Sequence, residues 1–565
     1  MVYFTDNQNK HCLTAPVGIR NFILFMIFLA FLLINMPWEN FFRADTVIMQ
    51  YSGWVLIAIP LLAVALSGRI VFYRSFLLFL AFFILSLPLF WLLRDADIWS
   101  AASRVLLMWC GGLLLLWIAA GHLSSVESSL FADALIFTGM VCAVSVFVII
   151  LWPSGYLHWR PLPADMRASG GLRQVNVMAS FLTTILVLTL HRWLFTGRFP
   201  FLICLVLLMV ALTWTQSTIG MLGVIVVVSL MVLSCAGSVR PRLFYTLIVL
   251  VASWAVARFV LQVLQVAPLV DHDNSWAARI QMWRAGGRLI AQYPLTGQGY
   301  GMFEGVWPKG IAALHEVQQT ALLNHPHNEL LYWTIEGGLV TATGLALMIT
   351  WGVITAVRLW RQASRAGGYG RPGSDALGWG LCALPILLHT QTEFPWYQSP
   401  VHYVLFIFLV GMALSGTETL PVMGLSGWLS QITAGIMALT GVALVYFALS
   451  GTVIRLSMDM AKQTMASDTS FFNSVRRINP WFQPDQQGFV ANLHDLQQFN
   501  TDHDPARLRR ASDFFRDYLL RHPDPNVYAM YLQVLSLQGR TTEAQSVYDE
   551  AHWRVGWDLR FAGGK

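Results

Sequence analysis

Residues 199–235 read FPFLICLVLLMVALTWTQSTIGMLGVIVVVSLMVLSC, with no Asp, Glu, Lys or Arg. A membrane-crossing helix needs about 20 predominantly apolar residues. The stretch is long enough for two crossings, and Gln216-Ser217 is the polar point at which it turns. Spans at 199–215 and 218–235 follow. Backbone groups in lipid must be satisfied within the segment, so the runs are helices. Runs this long lack the period-two alternation of a membrane barrel strand.

The same pattern fills most of the chain on either side. Of its 565 residues, 56% are hydrophobic and 12% charged, and mean hydropathy is +0.57. A soluble protein carries about 25% charged residues. Half that figure excludes a soluble enzyme, a disordered chain and a fibrous repeat. Reading runs and interruptions gives spans at 18–37, 46–67, 75–93, 104–120, 131–152, 174–190, 199–215, 218–235, 243–266, 328–357, 376–393, 401–416 and 429–450. The expected fold is all-α: a polytopic membrane protein with about 13 transmembrane helices. The run Ile19 to Met36 is followed by Pro37, Trp38 and Glu39 rather than a small-residue cleavage site, so it reads as the first span. The six cysteines show no CxxC or Cys/His spacing and read as buried small side chains.

The net charge of +6 is not a nucleic-acid signal, because the basic residues are scattered through short loops. Lipids are the expected surroundings, and the loop charges give orientation. Arg69/Arg74, Arg192/Arg198, Arg240/Arg242 and the group Arg358, Arg361, Arg365 and Arg371 fall on one side with Lys10 and Arg20. With a cytoplasmic N-terminus, 153–173, 267–327 and the tail from 451 then lie outside. The predicted domains are a membrane domain over 1–450, with 267–327 as its long outer loop, and a helical domain over 451–565. The tail has 13 basic and 13 acidic residues and no run long enough to span. Residues 506–521, 526–538 and 541–555 read as amphipathic helices, with Asp504-Pro505 as a start and Gly539 as a stop. VYAMYLQVLSLQGRTTEAQSVYDEA resembles one tetratricopeptide-type hairpin.

Chemistry-bearing residues gather at the outer ends of spans. Arg167-Ala-Ser-Gly-Gly-Leu-Arg173-Gln174-Val-Asn176 sets two cations, two glycines and two amides at one interface; snorkelling arginines explain it equally well. The long loop carries Arg279, Arg284 and Arg288, then Pro294-Leu-Thr-Gly-Gln-Gly-Tyr-Gly. Arg284 and Arg288 share a helix face and Arg279 opposes Arg288, so one straight helix does not aim all three at a small site. The glycine run has no βαβ context and is no dinucleotide fingerprint. Asn324-His325-Pro326-His327-Asn328-Glu329 opens span ten. With Pro326 in the first helical position, His327 falls in the first turn, where a positive helix end keeps imidazole neutral and favours an anion. A neutral histidine there suits a general base. His325-x-His327 lacks a third metal ligand. His389, Glu393 and Tyr397 cluster at the end of span eleven, and Arg258 is a cation within span nine.

On these residues the chain resembles the bacterial O-antigen ligase/polymerase superfamily, most closely its protein O-oligosaccharyltransferase branch. RASGGLRQVN resembles that branch's Arg-x-x-Gly…Gln-Pro-Asn loop, with Val175 where proline is usual. RIQMWRAGGRLIAQYPLTGQGYGMF resembles the long-loop pattern, and HTQTEFPWYQSP the branch's His…Glu-Phe/Tyr-Pro…Tyr segment. HPHNELLYWTIEGGLVT fits the ligase signature through His327, Asn328, Gly338 and Thr341. One departure stands out: the superfamily's Ser-Arg-Thr is here Ser217-Thr218-Ile219, which leaves Arg258 or a loop arginine as the substitute.

The resemblance implies transfer of a whole glycan from undecaprenyl diphosphate to Ser or Thr hydroxyls of periplasmic or pilin-like proteins, at the inner membrane, without cofactor or metal. It implies His327 as base. Arg279, Arg284, Arg288, Arg167, Arg173, Gln174, Asn176 and Arg258 would bind the diphosphate or glycan. His325, Asn328, His389, Glu393 and Tyr397 would support them. A lipid A–core ligase or O-antigen polymerase shares the chemistry and differs in acceptor. A transporter is the rival of another class; it predicts broken helices and midplane charges in two related halves.

Overall fold

The computed structural model describes residues 55, 57–58, 61–62, 71–73, 76–87, 108–113, 125–152, 167–172, 174–264, 273–312, 314, 323–416, 422–424 and 427–562. The predicted spans 18–37 and 46–67, and parts of 75–93 and 104–120, lie wholly or largely outside them. So do Lys10, Arg20, Arg69, Arg74 and Arg173.

Among the described residues the fold is helical apart from one short ribbon, Val71–Tyr73 (β1) antiparallel to Val422–Gly424 (β2). In chain order the helices are α1 (Phe76–Leu85), α2 (Ser125–Leu151), α3 (Val175–Thr196), α4 (Phe199–Thr215), α5 (Thr218–Ser234) and α6 (Arg240–Leu264). The long loop holds α7 (Asp273–Gln292) and α8 (Phe303–Ala312). Then come α9 (Glu329–Arg365), α10 (Asp375–His389), α11 (Pro395–Gln398), α12 (Pro400–Ser415) and α13 (Gly427–Gln463). The tail adds α14 (Ser470–Val475), α15 (Pro484–Asp502), α16 (Pro505–Arg521), α17 (Pro525–Leu537) and α18 (Thr541–Val555).

Among the described residues, five helices are long and apolar enough to cross a membrane: Ser128–Leu151, Val175–Thr196, Arg240–Val263, Glu329–Arg365 and Gly427–Gln463. Four shorter apolar ones are Phe199–Thr215, Thr218–Ser234, Asp375–His389 and Val401–Ser415. Each overlaps one of the predicted spans from 131–152 onward. The Gln216 turn between α4 and α5 is present, with Gln216 left-handed at φ 55° and Ser217 capping α5 through Gly220 N.

The described residues fall into two compact units, one within 1–80, 109–271 and 348–445, the other within 81–108, 272–347 and 446–565. In the first, α3 is central, packed by α2, α4, α5 and α10. Its polar residues Ser180, Thr183, Thr184, Thr189 and His191 are all buried. Gly220 lets α5 approach closely: a Cβ there would lie 2.9 Å from the Ala179 Cβ, the small-residue contact that membrane helices use.

In the second unit the tail helices α16, α17 and α18 share a core around Phe515, Tyr528, Tyr531 and Phe561. Asp504 and Asp524 each cap a helix that opens on proline, accepting from Ala506 N and Asn526 N. Gly539 follows α17 at φ 71°, the left-handed stop. Helix α15 was not anticipated from the sequence. A second core joins α7 and α8 through Ala285, Leu289, Phe303, Trp307 and Ile335.

Candidate active site

In the first unit the polar side chains converge on Glu393, a buried carboxylate just beyond α10. Gln174 Nε2 donates to its Oε2 at 2.6 Å and Asn176 Nδ2 to its Oε1 at 2.6 Å. Both amides are held from behind. Gln174 Oε1 caps α3 by accepting from Val177 N at 2.7 Å, and Asn176 Oδ1 accepts from Ser217 Oγ at 2.7 Å. Their orientation is therefore fixed, with each N–H pointing at the carboxylate.

A second row of polar groups backs the clamp. His389 Nε2 lies 3.7 Å from Glu393 Oε2, one helical turn earlier in sequence. His389 Nδ1 is 2.9 Å from Ser180 Oγ, which is 3.2 Å from His402 Nε2. His402 Nε2 also meets Val177 O at 2.9 Å, so that nitrogen carries the proton. His402 Nδ1 then accepts from Ser399 Oγ at 2.9 Å. Arg167 Nη2 donates to Thr215 O and Gln216 O, each at 3.2 Å. A cation thus sits at the α4–α5 turn, where the sequence itself has Ser217-Thr218 and no arginine. Tyr397, on α11, is half-buried, and Arg258 is half-buried on α6.

In the second unit the histidine loop differs from the sequence expectation in one respect. α9 begins at Glu329 rather than at Pro326. Asn328 Oδ1 accepts from Leu331 N at 2.9 Å and acts as the cap, and His327 precedes it in the left-handed region at φ 52°. The side-chain cap outcompetes a proline-led start. His327 stands just before the positive helix end, half-buried. His325 is buried: its Nδ1 accepts from His327 N at 2.9 Å, and its Nε2 lies 3.5 Å from Glu329 Oε1. The His325 ring packs on Tyr332, with centroids 4.3 Å apart.

The glycine run after α7 has a structural use. α9 breaks at Gly338, which takes φ 65° and ψ −165°, a region open only to glycine. The loop 294–301 fills the break. Gln298 N donates to Ile335 O at 2.8 Å, Gly299 N to Glu336 O at 2.9 Å, and Leu339 N to Pro294 O at 2.8 Å. The Glu336 carboxylate accepts from Gly301 N and Phe303 N, both at 2.9 Å, which caps α8. Tyr300 Oη meets Thr341 Oγ1 at 3.0 Å. A helix broken around the chain's own backbone is a clasp, not an opening for cargo. Sequence reading passed over Glu336, although a carboxylate within an apolar run was the available signal. It also passed over Ser180, Ser399 and His402.

Helix α7 carries the loop arginines as its periodicity predicts. Ala285 and Leu289 face the core, Arg284 and Arg288 are exposed, and Arg279 is half-buried.

Residues 203–346 match the family model described as O-Antigen ligase. Residues 377–555 match that described as Virulence factor membrane-bound polymerase, C-terminal. No curated protein matches the chain. The two matches support the O-antigen ligase/polymerase superfamily and, with the apolar helices, a membrane enzyme that transfers glycans.

Proposed function

We propose that this chain transfers a preassembled glycan from undecaprenyl diphosphate to Ser or Thr hydroxyls of periplasmic proteins such as pilins, at the outer face of the bacterial inner membrane. In this reading the acceptor oxygen attacks the anomeric carbon in line, the bond to the diphosphate oxygen breaks, and the hydroxyl proton passes to His327. The carrier leaves as a diphosphate anion, which needs cations rather than a general acid. Arg279, Arg284, Arg288, Arg167, Arg173 and Arg258 are the candidates, through charge-assisted hydrogen bonds.

One observation carries the choice of a protein acceptor. The two segments whose likeness is to the protein-glycosylating branch, RASGGLRQVN and EFPWY, meet through Gln174, Asn176 and Glu393. The contact of Arg167 with the α4–α5 turn supports it as substitute for the missing arginine. The polymerase alternative is favoured by the family match over 377–555. A reconstituted transfer assay separates them. Lipid-linked glycan is supplied with a pilin, with lipid A–core, or with a second lipid-linked glycan. Product on the pilin alone supports the proposal, and product only on the second glycan makes the chain a polymerase.

A further inference from the structure

The chain after α13 folds back along that helix. α13 is one continuous helix from Gly427 to Gln463, and its predicted span ends at 450. The following segment folds back along it. Tyr446 Oη donates to Ile478 O, Asn479 Nδ2 donates to Ser450 Oγ at 3.1 Å, and the Phe482 ring lies against Gly451. Residues 478–482 are therefore level with the last turn of the predicted span, not with the top of the helix.

What this segment exposes is suited to that level. Trp481 is 69% exposed, Ile478 49% and Phe471 44%, beside a row of exposed apolar residues on α13 that includes Tyr446, Leu449 and Val453. Trp with an adjoining aliphatic residue is what membrane interfaces select. Next to them is a cavity of about 540 Å³ lined by Asn473, Arg476, Arg477, Pro480, Pro484 and Gln487. Elsewhere in the tail Arg507, Arg521, Arg540 and Arg554 each meet a carboxylate. Arg476 instead lies over the Phe472 ring, 5.5 Å from its centroid, and neither it nor Arg477 pairs with a carboxylate among the described residues.

We propose that this cavity binds the phosphate of an anionic lipid headgroup, with Ile478 and Trp481 set into the acyl boundary below it. Two guanidinium groups supply the charge-assisted donors that a phosphodiester takes. The apolar side chains beneath distinguish a lipid from a free anion, and an anionic bilayer surface adds its own attraction for basic residues. The site would pin the helical tail to the membrane, whatever the enzyme's acceptor.

The test is amide hydrogen exchange over 470–482 in the full chain. It is run in nanodiscs of phosphatidylcholine alone, in nanodiscs containing phosphatidylglycerol, and in the first with added inorganic phosphate. Exchange should slow several-fold with phosphatidylglycerol in the wild type. R476Q/R477Q should lose that slowing, and W481Q should lose much of it while keeping the charge. Arg477 and Trp481 are exposed but Arg476 is half-buried, so exchange in α17 serves as the folding control. Equal exchange in the two lipids would overturn the proposal. So would inorganic phosphate reproducing the effect, which makes the site one for a free anion, or an unchanged response in R476Q/R477Q.

Discussion

His325 and His327 differ in what their ring nitrogens do. Both nitrogens of buried His325 face partners, the His327 amide and Glu329, so this ring holds the loop in place. The half-buried His327 sits at a left-handed turn beside a helix start. Replacing His327 with Ala should reduce glycan transfer about 10²–10⁴-fold, the usual cost of losing a general base, and leave the melting temperature unchanged. His325→Ala should instead lower the melting temperature as the loop loosens. If transfer survived His327→Ala and not the change at 325 in a protein of normal stability, the roles would be exchanged. Glu393 offers a second test. Gln174 and Asn176 cannot turn their oxygens toward an amide, because those oxygens are already used by Val177 N and Ser217 Oγ. Glu393→Gln should thus cost about 1.5–3 kcal/mol for a charge-assisted bond lost, read as a lower melting temperature in detergent. The candidate residues Gln174, Asn176, His389 and Glu393 were legible as polar groups at span ends. Their backing by Ser180 and His402 was not, because a serine and a histidine inside apolar runs carry no spacing signal.

At the level of elements, helix positions followed from apolar runs, and α4 and α5 fall where the uncharged stretch 199–235 divides. The break in α9 did not show, because it is fixed by backbone pairs between 294–301 and 335–340 with no side-chain code. The glycines record it indirectly. A Cβ on Gly338 would lie 2.2 Å from Leu295 O, and one on Gly297 2.4 Å from Glu336 O. Neither neighbour is a side chain that can move aside. Gly338→Ala and Gly297→Ala should each destabilise by more than the roughly 1–3 kcal/mol of backbone strain alone. Gly287→Ala on exposed α7, where a Cβ meets nothing within 4 Å, should be neutral or stabilise by up to about 1 kcal/mol. Thermal melts of the three variants decide this. Similar melting temperatures for all three would remove the clasp as a stabilising feature.

Across the whole molecule, the three last helices lie where their periodicity puts them, while the expected division at residue 450 falls inside α13, which runs on to Gln463. The tail's attachment was beyond sequence reading, because it rests on residues some two hundred positions apart. His522 Nδ1 and Glu304 Oε2 are 2.9 Å apart, and His522 Nε2 is 3.2 Å from Asp485 Oδ2. Arg521 also grips Asp485, at 2.7 and 2.9 Å, while Arg554 donates to Gly305 O. The tail thus docks on α8, whose first turn is capped by Glu336 of the clasp. Deleting the tail would therefore disturb the loop as well, and titration is the sharper instrument. Burial alone would lower the His522 pKa, but hydrogen bonds to Asp485 and Glu304 outweigh it and push it up to about 9. Burial would raise Asp485, yet His522 and Arg521 hold it down to about 2. A raised histidine stabilises fully below its unfolded value near 6.5 and loses that contribution as pH climbs through 9. A depressed carboxylate stabilises above its unfolded value near 4 and loses it as pH falls through 2. Docking should be firmest between about pH 4 and 6.5 and weaken by at most about 3 kcal/mol toward pH 9, at roughly 1.4 kcal/mol per pKa unit. In His522→Gln the alkaline decline should disappear, because glutamine keeps a hydrogen-bonding group without a titrating charge. Hydrogen exchange at the C-terminal turn of α16, followed from pH 6 to pH 9.5 and corrected for intrinsic rates, measures it. Parallel curves for the wild type and His522→Gln would show that the histidine does not hold the tail by its charge.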